Sequence, residues 1–196
     1  HIGSQITHIK PFKKVLETIN KIVNKTKINF KFIDLGGGMG ISYSKKEKQL
    51  NLKQYAQLVN KFIKNKNSKI IFEPGRFIIG NTAILVTKII YIKKSNGKKF
   101  VVLDAGMNDL MRPALYDAYH QITPLKKVNK SFKGNIEFVG PICESSDKFS
   151  TEKKFPKIKE GDYISLANVG AYGMSLSSNY NTRPFIAEIM VSGSKH

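Results

Sequence analysis

Apolar residues fall in two different rhythms along the chain. Phe12, Val15, Leu16, Ile19, Ile22 and Val23 recur at helical spacing, and so do Leu52, Tyr55, Ala56, Val59, Phe62 and Ile63. Between these two amphipathic helices lies a β-rich run, Ile28 to Leu35, that ends in Gly36-Gly37-Gly38. A lysine-rich connection, Lys64 to Lys69, leads into Ile70-Ile71-Phe72, which reads as a short buried strand ending at Glu73-Pro74-Gly75-Arg76. With His1 to Ile6 taken as the end of an earlier strand, the order is β-α-β-α-β. Such units build parallel sheets or barrels with right-handed crossovers.

Beyond residue 80 the rhythm changes. Thr82 to Lys93, Phe100 to Asp104, Ile136 to Val139, Tyr163 to Ala167 and Phe185 to Val191 are rich in Ile, Val and Phe, with polar loops between them. That pattern predicts an antiparallel β domain over 81–196, following an α/β part over 1–80. Ser95-Asn96-Gly97 is the expected hairpin turn.

Charge changes this picture less than its size suggests. The 196 residues carry 33 Lys or Arg against 14 Asp or Glu, a formal charge of +19. Only Arg76, Arg112 and Arg183 are arginine. The lysine pairs, among them Lys45-Lys46, Lys93-Lys94 and Lys153-Lys154, are scattered with no interleaved aromatic platform, so a specific nucleic-acid partner is not expected. Weak, salt-sensitive adhesion is all that such charge supplies. The single cysteine, Cys143, excludes an internal disulfide and points to a reducing, cytoplasmic compartment. No apolar run approaches the ~18 residues of a membrane span, so no membrane partner is expected.

The candidate chemistry lies at strand ends. His1-Ile2-Gly3-Ser4, Gly36-Gly37-Gly38 and Glu73-Pro74-Gly75-Arg76 follow the three expected α/β strands. In a parallel barrel these ends share one face, where barrel enzymes place their chemistry. Three glycines let backbone N–H groups approach an anion, Ser4 offers a hydroxyl and Arg76 a guanidinium, which together suit a phosphate. Taken singly, each has an ordinary explanation: a tight turn, a loop histidine, a Glu73–Arg76 ion pair. Arginine's planar fork suits carboxylate or phosphate, so at least two of the three arginines are expected to meet an anion. Arg183 is the one best suited to a structural pairing with Asp or Glu.

In order, the segments HIGSQI from His1, IDLGGGMGISY from Ile33, EPGRFIIGNTAILVTKI from Glu73, VVLDAGMNDLMRPALYDAYH from Val101, VGPICESSD from Val139 and NVGAYGMSLSSNYNTRP from Asn168 resemble the diaminopimelate decarboxylase family. These are pyridoxal-phosphate enzymes of the alanine-racemase-like fold group. The glycine triplet and EPGR mark only the fold group, whereas MNDLMRPALY and CESSD are specific for the diaminopimelate branch. The resemblance implies the C-terminal part of a (β/α)8 barrel followed by the β domain, and decarboxylation of meso-2,6-diaminopimelate to L-lysine. It implies that His1 stacks on the cofactor ring. Ser4, Gly36, Gly37, Gly38, Gly75, Arg76 and Tyr172 would surround the phosphate, and Glu73 would face the pyridine nitrogen. Arg76, Arg112, Tyr116 and Tyr172 would contact the substrate, Glu144 its distal ammonium, and Cys143 would be the acid that reprotonates the carbanion. Cys143 and Glu144 would act in a partner subunit's site, implying an obligate homodimer. No metal is implied.

One departure stands out. The family's Schiff-base lysine lies well before the histidine segment, and none of the lysines here matches its context, so the chain reads as the C-terminal part of a longer enzyme. Rival readings are a sister decarboxylase of ornithine or arginine type and a non-catalytic homologue, the latter weakened by the presence of Glu73, Arg76, Cys143, Glu144 and Tyr172.

Overall fold

The computed structural model describes residues 1–44 and 46–193. Packing divides the chain into two compact units, His1–Ala83 and Ile84–His196.

In the first unit, helix α1 (Ile9–Thr26) and helix α2 (Leu52–Ile63) form where apolar residues recur every three or four positions. Phe12 and Leu16 of α1 and Tyr55 and Val59 of α2 are buried, with the Phe12 and Tyr55 rings 4.6 Å apart. The Asn51 side chain caps α2 by accepting the Gln54 N–H, and Lys27, in the left-handed region, ends α1. Strands β1 (Phe32–Asp34) and β2 (Lys69–Ile71) pair in parallel and contribute Ile33 to the same core as the helices. A short helix, α3 (Gly75–Ile79), follows.

Three expectations change here. The β-rich run yields a ladder of only three residues. His1 to Ile6 makes a single parallel bridge, Ile6 to Met39, in place of a strand. The strand at Ile70–Phe72 is not buried, since Ile71 and Phe72 are each 41% exposed. Strands in α/β sheets are buried when neighbours and helices flank both sides; among the described residues β2 pairs with β1 alone.

The second unit is a six-stranded sheet in the order β5-β8-β3-β4-β6-β7. Its strands are β3 (Leu85–Ser95), β4 (Lys98–Leu103), β5 (Ile122–Pro124), β6 (Ser131–Val139), β7 (Lys148–Pro156) and β8 (Tyr163–Leu166). Strands β3 and β4 are joined through Asn96 and Gly97, both at positive φ, the conformation a two-residue hairpin turn requires. Ile89, Val101, Leu103, Phe138, Ile164 and Leu166 have no exposed surface and make the centre of the core.

The sheet is not wholly antiparallel, because β4 pairs with β6 in parallel. A parallel pair needs a long crossover, which residues 104–130, including helix α4 (Arg112–Tyr116), supply. Phe185–Val191 forms no strand; its Phe185, Ile189, Met190 and Val191 are exposed. Edge strand β7 was hidden in the sequence by its lysines, which are a common edge residue. Among the described residues no helix is long and apolar enough to cross a membrane.

Candidate functional site

Two polar clusters arise, one in each unit. In the first, the chain leaves β1 at Asp34, whose carboxylate accepts the Gly36 N–H at 2.8 Å. The Gly37 N–H donates to His1 Nδ1 at 3.2 Å, and the Glu73 N–H to the Gly36 carbonyl at 3.0 Å. Space then dictates glycine. A Cβ on Gly37 would stand 2.2 Å from the Glu73 carbonyl oxygen, and one on Gly38, at φ +90°, 2.8 Å from that of Gly3. The triplet thus lets the backbones at His1–Gly3, Gly36–Gly38 and Glu73 converge.

Arg76 completes this cluster. Its Nε donates to the Ser4 carbonyl at 2.7 Å and its Nη1 to the Tyr43 hydroxyl. Its guanidinium carbon lies 5.6 Å from the Tyr43 ring centre. The structure therefore brings together His1, Ser4, Gly36, Gly37, Gly38, Glu73, Gly75 and Arg76. The amides of Gly36 and Gly37 are engaged within the protein, by the Asp34 carboxylate and by His1 Nδ1. Buried Gly38 donates its N–H to no acceptor among the described residues. A buried donor without a protein partner, beside a guanidinium and an exposed Ser4, fits an anionic group such as a phosphate.

The second cluster is organised by Asp147, which is 3% exposed. Its carboxylate accepts the Met107 and Ile142 N–H groups, each at 2.7 Å. Gly140 is needed beside it, since a Cβ there would lie 2.3 Å from that carboxylate. Burial raises the Asp147 pKa, while the two backbone N–H groups and Arg183 pull against that rise. The turn closed in this way presents Cys143 and Glu144, both exposed. The Tyr180 hydroxyl donates to Glu144 Oε1 at 2.6 Å, and this bond to the carboxylate raises the phenol's pKa. Met107, Met111, Glu144, Ser178, Asn179 and Tyr180 line an open cavity of about 540 Å³.

Arg112 is buried at the start of α4, and its Nη1 lies 2.9 Å from His120 Nε2. Tyr116, four residues on, is exposed. Tyr172 is exposed and holds φ +64°, a costly conformation for a side chain and one that clusters at ligand sites. Arg183 pairs with Asp109 at 3.7 Å and also donates to the Asp104 carbonyl. That is the structural pairing its sequence context suggested.

Sequence reasoning assigned no role to Tyr43, Asp109, His120, Asp147 or Tyr180. Asp147 closes the CESSD segment and His120 the DAYH segment, so position within a distinctive motif was the available signal.

Residues 18–170 match the family model described as pyridoxal-dependent decarboxylase, C-terminal sheet domain. The chain is 39% identical, over 97% of its length, to the diaminopimelate decarboxylase of Aquifex aeolicus, covering 46% of that protein. It is 41% identical over its whole length to that of Zymomonas mobilis, covering 47%. The chain thus spans about half the length of the curated relatives it matches. The diaminopimelate decarboxylase of Helicobacter pylori, solved with L-lysine, superposes with a TM-score of 0.85 at 39% identity, covering 95% of this chain and 46% of that one. A lysine/ornithine decarboxylase from Vibrio vulnificus shares the fold at a TM-score of 0.80 and 22% identity, covering 94% of this chain and 52% of that one. On the match of residues 18–170, most of its length, to that model, the chain belongs to the pyridoxal-dependent decarboxylases.

Proposed function

We propose that the enzyme containing this chain decarboxylates meso-2,6-diaminopimelate to L-lysine and CO2. The observation that carries this reading is identity near 40% with diaminopimelate decarboxylases along essentially the whole chain. In this reading residues 1–80 are the C-terminal portion of a (β/α)8 barrel, and the Schiff-base lysine lies outside this chain. Pyridoxal phosphate, when bound, supplies a sink for the electron pair left behind as CO2 departs.

Ser4, the Gly38 amide, Gly75 and Arg76 would hold the phosphate, with Gly36 and Gly37 shaping the backbone. His1 would stack on the ring, and its orientation is supported by the Gly37 N–H bond to Nδ1. Glu73 would keep the pyridine nitrogen protonated, and the tight fit of its carbonyl against Gly37 supports its placement.

The remaining residues handle the substrate. Arg112 and Tyr116 would bind the carboxylate that does not react, and Glu144 the distal ammonium. The Cys143 thiol would give its proton to the carbon that lost CO2, and solvent would reprotonate the thiolate. The family resemblance, with Cys143 and Glu144 exposed on one turn, supports a homodimer in which these two residues act in the neighbouring subunit's site, and the single free cysteine supports a reducing, cytoplasmic compartment.

In the full-length enzyme, Cys143→Ala is expected to lower turnover sharply while leaving the cofactor absorbance intact. Unchanged turnover would remove the cysteine from the mechanism. In a substrate panel, diaminopimelate is turned over; strong turnover of ornithine or arginine with none of diaminopimelate would overturn the substrate assignment.

A further inference from the structure

His120 has no exposed surface, and Arg112, which it meets, is 7% exposed. A guanidinium has only donors, so at 2.9 Å from Arg112 Nη1 the His120 Nε2 atom must be the acceptor. The ring proton therefore sits on Nδ1, which faces the Ala167 carbonyl oxygen at 2.8 Å, an atom that can only accept. Both ring nitrogens are committed, and the imidazole is held neutral in one tautomer.

The contact joins two segments that carry assigned residues. Arg112 opens α4, which ends at Tyr116, and Ala167 directly follows β8, just before the Asn168–Tyr172 turn. Backbone bonds brace both ends of the bridge. The Ala118 N–H reaches the Arg112 carbonyl at 3.4 Å, and the Ala167 N–H the Gln121 carbonyl at 2.9 Å. A neutral acceptor also has a property that a carboxylate lacks: it fixes where the guanidinium points without cancelling its charge.

We propose that His120 is a positioning residue, which aims the Arg112 guanidinium at the unreacting carboxylate of the substrate. The proposal rests on the substrate reading of Arg112 given above. It makes binding of that carboxylate depend on the acceptor at Nε2, leaving the chemical step largely alone.

The test uses the full-length holoenzyme and two competitive inhibitors. L-lysine retains the unreacting carboxylate, and cadaverine is the same molecule without it. In His120→Ala, the inhibition constant for L-lysine and the KM for diaminopimelate are expected to rise about tenfold, the scale of a lost hydrogen bond to a charged group. The cadaverine constant and kcat should stay close to those of the unaltered enzyme. His120→Gln, whose amide oxygen can reach the place of Nε2, is expected to restore L-lysine binding; His120→Asn, which reproduces only the Nδ1 side, is not. Equal weakening of both inhibitors, or equal rescue by Gln and Asn, would show a merely structural residue and overturn the proposal. Arg112→Lys separates the two layers. If it raises the L-lysine constant and His120→Ala does not, the proposal alone fails; if Arg112→Lys changes nothing, the carboxylate reading of Arg112 fails and takes the proposal with it.

Discussion

Removing the Asp147 carboxylate should loosen the turn that presents Cys143 and Glu144. In Asp147→Ala the Met107 and Ile142 N–H groups both lose the acceptor they hold at 2.7 Å. Each buried donor left unsatisfied costs ~1–3 kcal/mol, so the pair costs ~2–6 kcal/mol. Against this stands the relief of burying a charge, which the raised pKa of Asp147 records. A net cost of about 3 kcal/mol corresponds to roughly a hundredfold increase in opening of the turn. Amide hydrogen exchange on the full-length protein reads this directly, with protection lost at Met107 and Ile142 and kept at core amides such as Val101. Unchanged protection at those two amides would refute the claim that the carboxylate holds the turn. The pH dependence gives a second handle. Because burial raises its pKa, folded Asp147 keeps its proton to higher pH than the unfolded chain does. Its contribution to stability is therefore greatest in acid and falls as pH rises from the ordinary carboxylate range through the raised value. Asp147→Asn should flatten that part of the stability curve.

Three further outcomes follow from the geometry. Gly37→Ala drives a methyl against the Glu73 carbonyl and should cost ~1–3 kcal/mol with weakened cofactor binding, followed by thermal melting and by visible absorbance. Phe138→Ala empties a site with no exposed surface that faces the Phe155 ring at 4.8 Å, and should cost ~3–5 kcal/mol in a denaturant titration. Glu144→Gln removes the carboxylate that raises the Tyr180 phenol, so a tyrosine absorbance titration should show that group returning toward its ordinary range.

Helices α1 and α2 were legible because each must bury one apolar stripe, and Phe12, Leu16, Tyr55 and Val59 mark those stripes at helical spacing. The Asn96-Gly97 turn was legible because two successive positive φ angles strongly favour those residues. Pairing was not. Nothing local to Lys98–Leu103 states that its neighbour across 104–130 runs parallel, and Phe185–Val191 has a strand's composition without a strand's partners. The first cluster was visible as a convergence of motifs, but not the inward bonds of the Gly36 and Gly37 amides, which depend on Asp34 and His1 meeting them. Asp147 and His120 escaped for a similar reason: each acts through partners distant along the chain, Met107 for one and Ala167 for the other.

The proposed enzyme removes CO2 from diaminopimelate and returns a proton to the same carbon. The most direct measurement is turnover of meso-2,6-diaminopimelate by the full-length enzyme in deuterated water, with the product followed by NMR. L-lysine is expected with deuterium incorporated at the carbon that lost CO2, and incorporation slowed together with turnover in Cys143→Ala. Absence of lysine, or of solvent-derived deuterium at that carbon, would contradict the proposed function.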